Sequence, residues 1–189
     1  YYPLSHPANT FDYRESHLAF LMMTERDMED RKSLISIINN NGQKEFDEII
    51  DDSVRYEVRE QKNFYTLKFF KNNKCYRAFT LNFEGRVLDT FQNIQCNGYE
   101  KVCAIKKNNL WGIMDFNHNI TQEPALYSKG DCYALNPSLV WYSENDSTVK
   151  VFNLKEHTET TINASSIVYS KSGYLITKKA NDQSSYLMN

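Results

Sequence analysis

Glycine and proline are scarce in this chain, with six glycines and four prolines among 189 residues. That scarcity excludes a flexible linker and a low-complexity segment. Tryptophan is limited to Trp111 and Trp141. No apolar run approaches the roughly 18–20 residues that cross a bilayer as a helix, so no membrane span is expected. Charge of one sign is also lacking: 22 Lys and Arg stand against 24 Asp and Glu, for a formal net charge of −2. Without the basic footprint of a nucleic-acid binder, nucleic acid is not an expected partner. The short pairs Lys106–Lys107 and Lys178–Lys179 read as solvated strand ends or turns.

Signatures of chemistry are missing as well. There is no phosphate-binding glycine loop, GxSxG elbow, HExxH pair or EF-hand loop. His6, His17, His118 and His157 are scattered. Cys75, Cys96, Cys103 and Cys132 form no CxxC pair and have no histidine at metal-ligand spacing. Neither a metal site nor a cofactor is therefore expected. A chain of this length does not need disulfides to fold, so the four cysteines are expected to be small apolar residues rather than bridged pairs. No catalytic residue is assigned, and the chain is expected not to be an enzyme. The Asn-x-Ser/Thr triplets at Asn119, Asn145 and Asn163 occur about as often as chance allows in a chain so rich in these residues. The chain opens at Tyr1 with no signal-peptide pattern, as expected of a processed product or a piece of a longer chain.

What is present is an internal repeat of strands rich in Tyr and Phe. Aromatics make up 14% of the chain, and both residues suit half-buried strands. An apolar strand runs into an Asn or Asp that begins a polar turn at Asn39, Asn82, Asp115 and, in a degraded copy, Asn153. Asn and Asp start such turns by bonding the local backbone, and glycines such as Gly42 and Gly85 supply the positive φ that closes them. Each turn should join two antiparallel strands. A second element follows at Glu45–Ile49, Thr90–Ile94, Pro124–Tyr127 and Ala164–Ile167. A third, Tyr-bearing strand follows at Arg55–Val58, Tyr99–Val102, Cys132–Leu135 and Gly173–Ile176. Near-helical spacing of Leu18, Leu21, Met22 and Met28 competes at one place, but the repeat predicts a strand over His17–Met23.

Equivalent positions recur every 33 to 45 residues or about that, the range of blade-like or stacked β repeats. The fold expected is all-β: a single domain over 1–189 of tandem β-meander repeats of about 40 residues. Thr10–Tyr13 with the strand at His17, and Gly173–Thr177 with Ser185–Met188, look like the two halves of a fifth unit. Their pairing would close a five-bladed propeller and hide its edges; an open array of the same repeats is the alternative.

Around Asn109-Leu110-Trp111-Gly112-Ile113-Met114-Asp115 the pattern resembles the WG repeat of many bacterial proteins. Only this copy carries the Trp-Gly pair; Ser36 stands where glycine would be in the first copy. The resemblance implies repeated β-hairpin units and binding roles, and transfers no catalytic residue. An exported or cell-surface bacterial setting is favoured over a cytoplasmic one.

The function expected is recognition of a protein partner, such as a toxin to be neutralised or a surface component. A glycan-binding propeller is the alternative, and a glycoside hydrolase the second. The hydrolase would need acids converging in a central channel, whereas Asp115 aligns with turn asparagines. Trp111 is expected to pack between units. The candidate binding residues are Trp141 and Tyr142, together with Tyr56, Tyr99, Tyr133 and Tyr174, which recur at one repeat position and would form either a core ring or a set of aromatic platforms.

Overall fold

The computed structural model describes residues 21–27, 32–51, 53–169, 175–178 and 185–188. The chain divides into two compact units, Tyr1–Thr90 and Phe91–Asn189. In the first, β1 (Leu21–Asp27), β2 (Lys32–Ile38) and β3 (Lys44–Asp51) form a three-stranded sheet, and β4 (Val54–Glu60), β5 (Tyr65–Lys71), β6 (Lys74–Leu81) and β7 (Val87–Phe91) a four-stranded one. In the second, β8 (Asn93–Asn97), β9 (Val102–Lys107), β10 (Leu110–Asp115) and β11 (Ile120–Tyr127) make one four-stranded sheet. Another comprises β12 (Tyr133–Ala134), β13 (Leu139–Asn145), β14 (Thr148–Asn153) and β15 (Thr158–Ile162). The last sheet has three strands, β16 (Ser166–Tyr169), β17 (Leu175–Lys178) and β18 (Ser185–Met188). In every sheet the spatial order of strands is their order in sequence, so each is a meander.

The predicted turns are present in four sheets. Asn39 Oδ1 accepts the backbone N–H of Asn41 and of Gln43, both at 3.0 Å. Asn82 Oδ1 accepts those of Glu84 (3.0 Å) and Arg86 (2.9 Å). Asp115 Oδ1 accepts those of Asn117 (2.8 Å) and Asn119 (2.9 Å). Asn153 Oδ1 accepts those of Lys155 (3.0 Å) and Glu156 (3.1 Å). One side-chain oxygen thus satisfies two donors that the ladder leaves over. Each turn also needs one residue at positive φ: Gly42 (75°) and Gly85 (84°) in two copies, His118 (68°) and His157 (56°) in the others. A second turn type joins β5 to β6 and β9 to β10. There Asn72 and Asn73 (52°, 60°) and Asn108 and Asn109 (51°, 65°) place two consecutive residues at positive φ, the pattern of a two-residue type I′ hairpin.

The same register organises the core. Four positions before each turn residue stand Ile35, Ala78, Trp111 and Val149, all fully buried. In a strand, residues four and two positions before the turn share a face. Ile35 and Ile37 of the first sheet turn that face toward Tyr65, Leu67, Phe69, Phe79 and Leu81 of the second. Trp111 and Ile113 likewise meet Val140 and Ala134 of the β12–β15 sheet and Leu154 in the turn after β14. Val149 and Val151 meet Ala164 and Ile167 beyond it. Within each unit, sheets therefore stack face to face, with the strand alternation assigning one face to each neighbour.

The structure revises several expectations. The strand predicted over His17–Met23 is seen at Leu21–Asp27, and 17–20, like Thr10–Tyr13, lie outside the described residues. Leu21–Asp27 and Ser185–Met188 belong to two three-stranded sheets; the fifth unit expected from Thr10–Tyr13 rests on residues outside those described. Glu45–Ile49 and Pro124–Tyr127 do fall in the last strand of their sheets, β3 and β11, but Thr90–Ile94 spans the end of β7, Gln92 and the start of β8. Ala164–Ile167 straddles the loop into β16. Short apolar pieces fit either phase of a meander, because the alternation in neighbouring strands is the same.

Asn39 is buried, and its amide also donates to Glu45 Oε1 at 2.7 Å. Asn39→Ala leaves two backbone donors and a carboxylate without that partner, and should cost about 1–3 kcal/mol. An unchanged urea midpoint would show that the turn does not depend on it. Asp115 carries a charge where the other copies are neutral. Burial opposes that charge, but hydrogen bonds from the backbone and side chain of Asn119 and from Asn117, with His118 nearby, outweigh it and lower the pKa. A lowered carboxylate pKa stabilises the fold above the unfolded-state value of about 3.9, and the gain is lost as pH falls through the folded value. The stability gap between the native chain and Asp115→Asn should therefore be present at neutral pH and close on acidification. A gap of constant size in denaturation curves down to the acid limit would contradict this.

Candidate functional site

The two faces of the β12–β15 sheet differ in what they leave exposed. Val140 and Phe152 on one face pack with Cys132 and Ala134 against the β8–β11 sheet. Trp141, Val151 and Ile162 on the other pack with Leu135, Val149 and Ile167. Tyr133 lies directly opposite Trp141 in the β12–β13 register. Their rings stack with centroids 4.8 Å apart and planes 24° from parallel. Trp141 is half-buried, and Tyr133 is 40% exposed. The half-buried indole thus forms the rigid base of an exposed phenol ring. Burial raises the Tyr133 pKa, with the Asp131 carboxylate adding to the shift.

Strand β12 is only two residues long, and side chains from β8 hold it. Asn93 Nδ2 donates to Asp131 Oδ1 at 2.8 Å, and Gln95 Nε2 to Asp131 Oδ2 at 3.4 Å. Asn97 Nδ2 donates to the Ala134 carbonyl at 3.1 Å. Residues 93, 95 and 97 share a strand face, so they act as a ladder of amides along the edge of β12. Beyond β12, Asn136 Oδ1 accepts the backbone N–H groups of Ser138 (2.8 Å) and Leu139 (2.9 Å) and turns the chain into β13. Sequence reasoning missed Asp131, Asn93 and Gln95. The signal was present as polar residues of period two, Asn93-x-Gln95-x-Asn97.

The other candidates separate. Tyr142 is on the opposite face from Trp141, where its hydroxyl donates to Glu159 Oε2 at 3.0 Å. Burial, then Glu159, pushes its pKa up to about 12. Lys150 bonds Glu159 (2.9 Å) and Glu144 (3.1 Å), which raises the lysine pKa and completes this polar cluster. Tyr56 is half-buried in β4 and packs against the core of the first unit. Tyr99 is 58% exposed but lies in the β8–β9 turn rather than in a strand. Tyr174 lies outside the described residues. Tyr56, Tyr99 and Tyr133 are therefore not equivalent, and only Tyr133 joins Trp141.

The cysteines also depart from expectation. Cys96 and Cys103 are bonded across β8 and β9, where the register sets them directly opposite. Their sequence spacing shows no motif; the hairpin brings them together. Cys75 and Cys132 are not disulfide-bonded, and burial pushes the Cys132 thiol up to about 12. Among the described residues, no cluster of three or more His, Cys, Asp or Glu could hold a metal, and no helix is long and apolar enough to cross a membrane.

No family model and no curated protein matches the chain. Several solved structures are similar at low identity. The C-terminal WD40 domain of Sif2 is 10% identical with a TM-score of 0.46, and the match covers 84% of this chain and 51% of that one. An uncharacterised protein of Listeria monocytogenes is 11% identical with a TM-score of 0.44, covering 87% of this chain and 57% of that one. A protein of unknown function from Bacteroides caccae is 10% identical with a TM-score of 0.38, covering 88% and 70% respectively. The chain thus spans little more than half the length of the first two.

Trp111 is fully buried, as expected of a packing residue, with the Lys106 ammonium 5.5 Å from its ring centroid. Gly112 has a separate, steric reason. The β10–β11 ladder is irregular beside it, and a Cβ there would lie 2.5 Å from the Gln122 carbonyl oxygen and 2.8 Å from the Pro124 nitrogen. At the equivalent position of the first sheet, Ser36 fits and donates to Asp47 Oδ1 at 2.6 Å. Because backbone rather than a flexible side chain blocks the way, Gly112→Ala should destabilise by about 1–3 kcal/mol. A thermal midpoint equal to that of the native chain would show that β11 moves aside freely.

Proposed function

We propose that the chain is a non-enzymatic binding module of the WG-repeat kind that recognises a protein partner through Tyr133 and Trp141. The stacked, part-exposed ring pair is the observation that carries this reading. Large aromatics held rigid before binding bury area at little entropic cost, and such residues dominate interface energetics. The buried Trp111 beside a sterically required Gly112 supports the WG-repeat assignment. An exported or surface-displayed bacterial protein is the setting proposed, supported by the Cys96–Cys103 bond, since disulfides persist in oxidising compartments.

A glycan is the second reading, because a flat aromatic ring also accepts the apolar face of a sugar. The binding reading includes no turnover of sugars, so hydrolysis of chromogenic glycosides by the pure chain would replace it with the hydrolase.

The test is capture of a partner from lysate and secreted fractions by the native chain and by Tyr133→Ala. The expected result is one protein at defined stoichiometry, with affinity reduced about tenfold or more by the substitution. Equal capture by both forms would remove Tyr133 from the interface. Multiple weak sites on a glycan array, without a captured protein, would transfer the site to carbohydrate.

A further inference from the structure

We infer that the ledge formed by Tyr133, Trp141 and Asp131 receives an arginine side chain of the partner, its guanidinium lying on the Tyr133 ring and paired with the Asp131 carboxylate. The inference rests on the protein-binding reading and names the chemistry of its central contact. Asp131 is exposed and two residues from Tyr133, with the buried Cys132 between them. In an extended segment that alternation sets residues 131 and 133 on one side. Among the described residues, no Lys, Arg or His forms an ion pair with Asp131; its oxygens accept only the amides of Asn93 and Gln95. A carboxylate offers about four acceptor positions, two on each oxygen. The amides take one on each, which leaves one on each. That arrangement suits the two parallel donors of a guanidinium better than the point charge of a lysine. The amides also fix the carboxylate before the ligand arrives, which lowers the cost of ordering it.

The chain contains a filled counterpart of this site. In the first unit, the Arg77 guanidinium lies 4.8 Å from the Phe79 ring centroid and 5.4 Å from that of Phe46. Its Nη1 donates to Glu48 Oε2 at 3.1 Å. Aromatic ring, carboxylate and guanidinium occur there together. At Tyr133 and Asp131 the ring and the carboxylate occur with amides in place of the cation.

The test uses the two indole N–H signals of the full chain in nitrogen–proton spectra, with the buried Trp111 as internal control. The probes are the capped tripeptide Gly-Arg-Gly, its lysine counterpart and methyl glucoside. A saturable shift of the Trp141 signal with the arginine peptide is expected. Binding should weaken about tenfold in Asp131→Asn, survive in Tyr133→Phe and be several-fold weaker for the lysine peptide. Equal response to lysine, indifference to Asp131→Asn, or a response to the glucoside alone would overturn the inference. Circular dichroism of each variant separates lost binding from lost fold. A captured protein that depends on Tyr133 but not on Asp131 would keep the protein-binding reading and overturn this one. Saturation by the arginine peptide with no protein captured would support the site chemistry and count against the proposed partner.

Discussion

The construction depends on a side-chain oxygen at the end of the last strand but one of a sheet. In four sheets an Asn or Asp at that place accepts two backbone donors and turns the chain into the sheet's last strand. A strand end with unpaired N–H groups is costly where water is excluded, and a single carboxamide resolves two at once. Once this turn is set, strand geometry assigns residues four and two positions earlier to one face. In the first unit and twice in the second, that face meets the following sheet. The turn thereby fixes both where a sheet ends and which face it offers to its neighbour.

Those anchors were legible because Asn and Asp are demanded by a local interaction that leaves a trace at one position. Asn39, Asn82, Asp115 and Asn153 are separated by 43, 33 and 38 residues, yet all sit at the same place. Closure of the turn was less legible. Glycine marks it in two copies, while His118 and His157 take the left-handed conformation in the others, a choice the composition does not advertise. Strand phase was harder still. Tyr99 looked like a strand residue beside Val102, but Asn97 Oδ1 accepts the backbone N–H groups of Tyr99 and Glu100 and draws them into a turn. The Cys96–Cys103 bond was hidden for a related reason: it follows from the register of a hairpin, and register was the quantity that alternation alone could not supply.

The candidate binding residues divide along the same alternation. Trp141 and Tyr142 are adjacent in sequence. A strand sends them to opposite faces, so Tyr142 joins Glu159 and Lys150 while Trp141 joins Tyr133. The pairing of Tyr133 with Trp141 comes from two strands and is visible only when their register is known. Pairing across strands is also what makes the platform rigid, since each ring limits the rotamers of the other.

The platform lies in the four-stranded sheet whose first strand is the shortest. The equivalent first strands are longer: β4 spans Val54–Glu60 and β8 spans Asn93–Asn97, whereas β12 has only Tyr133–Ala134. A two-residue strand contributes few ladder bonds, and such an element is weakly held by its own sheet. Here the neighbouring strand β8 supplies the missing support through Asn93, Gln95 and Asn97. The same amides that secure β12 also orient Asp131 beside the exposed ring. Stability of the short strand and preorganisation of the proposed arginine site therefore have one physical source, and a change to the amide ladder would alter both together.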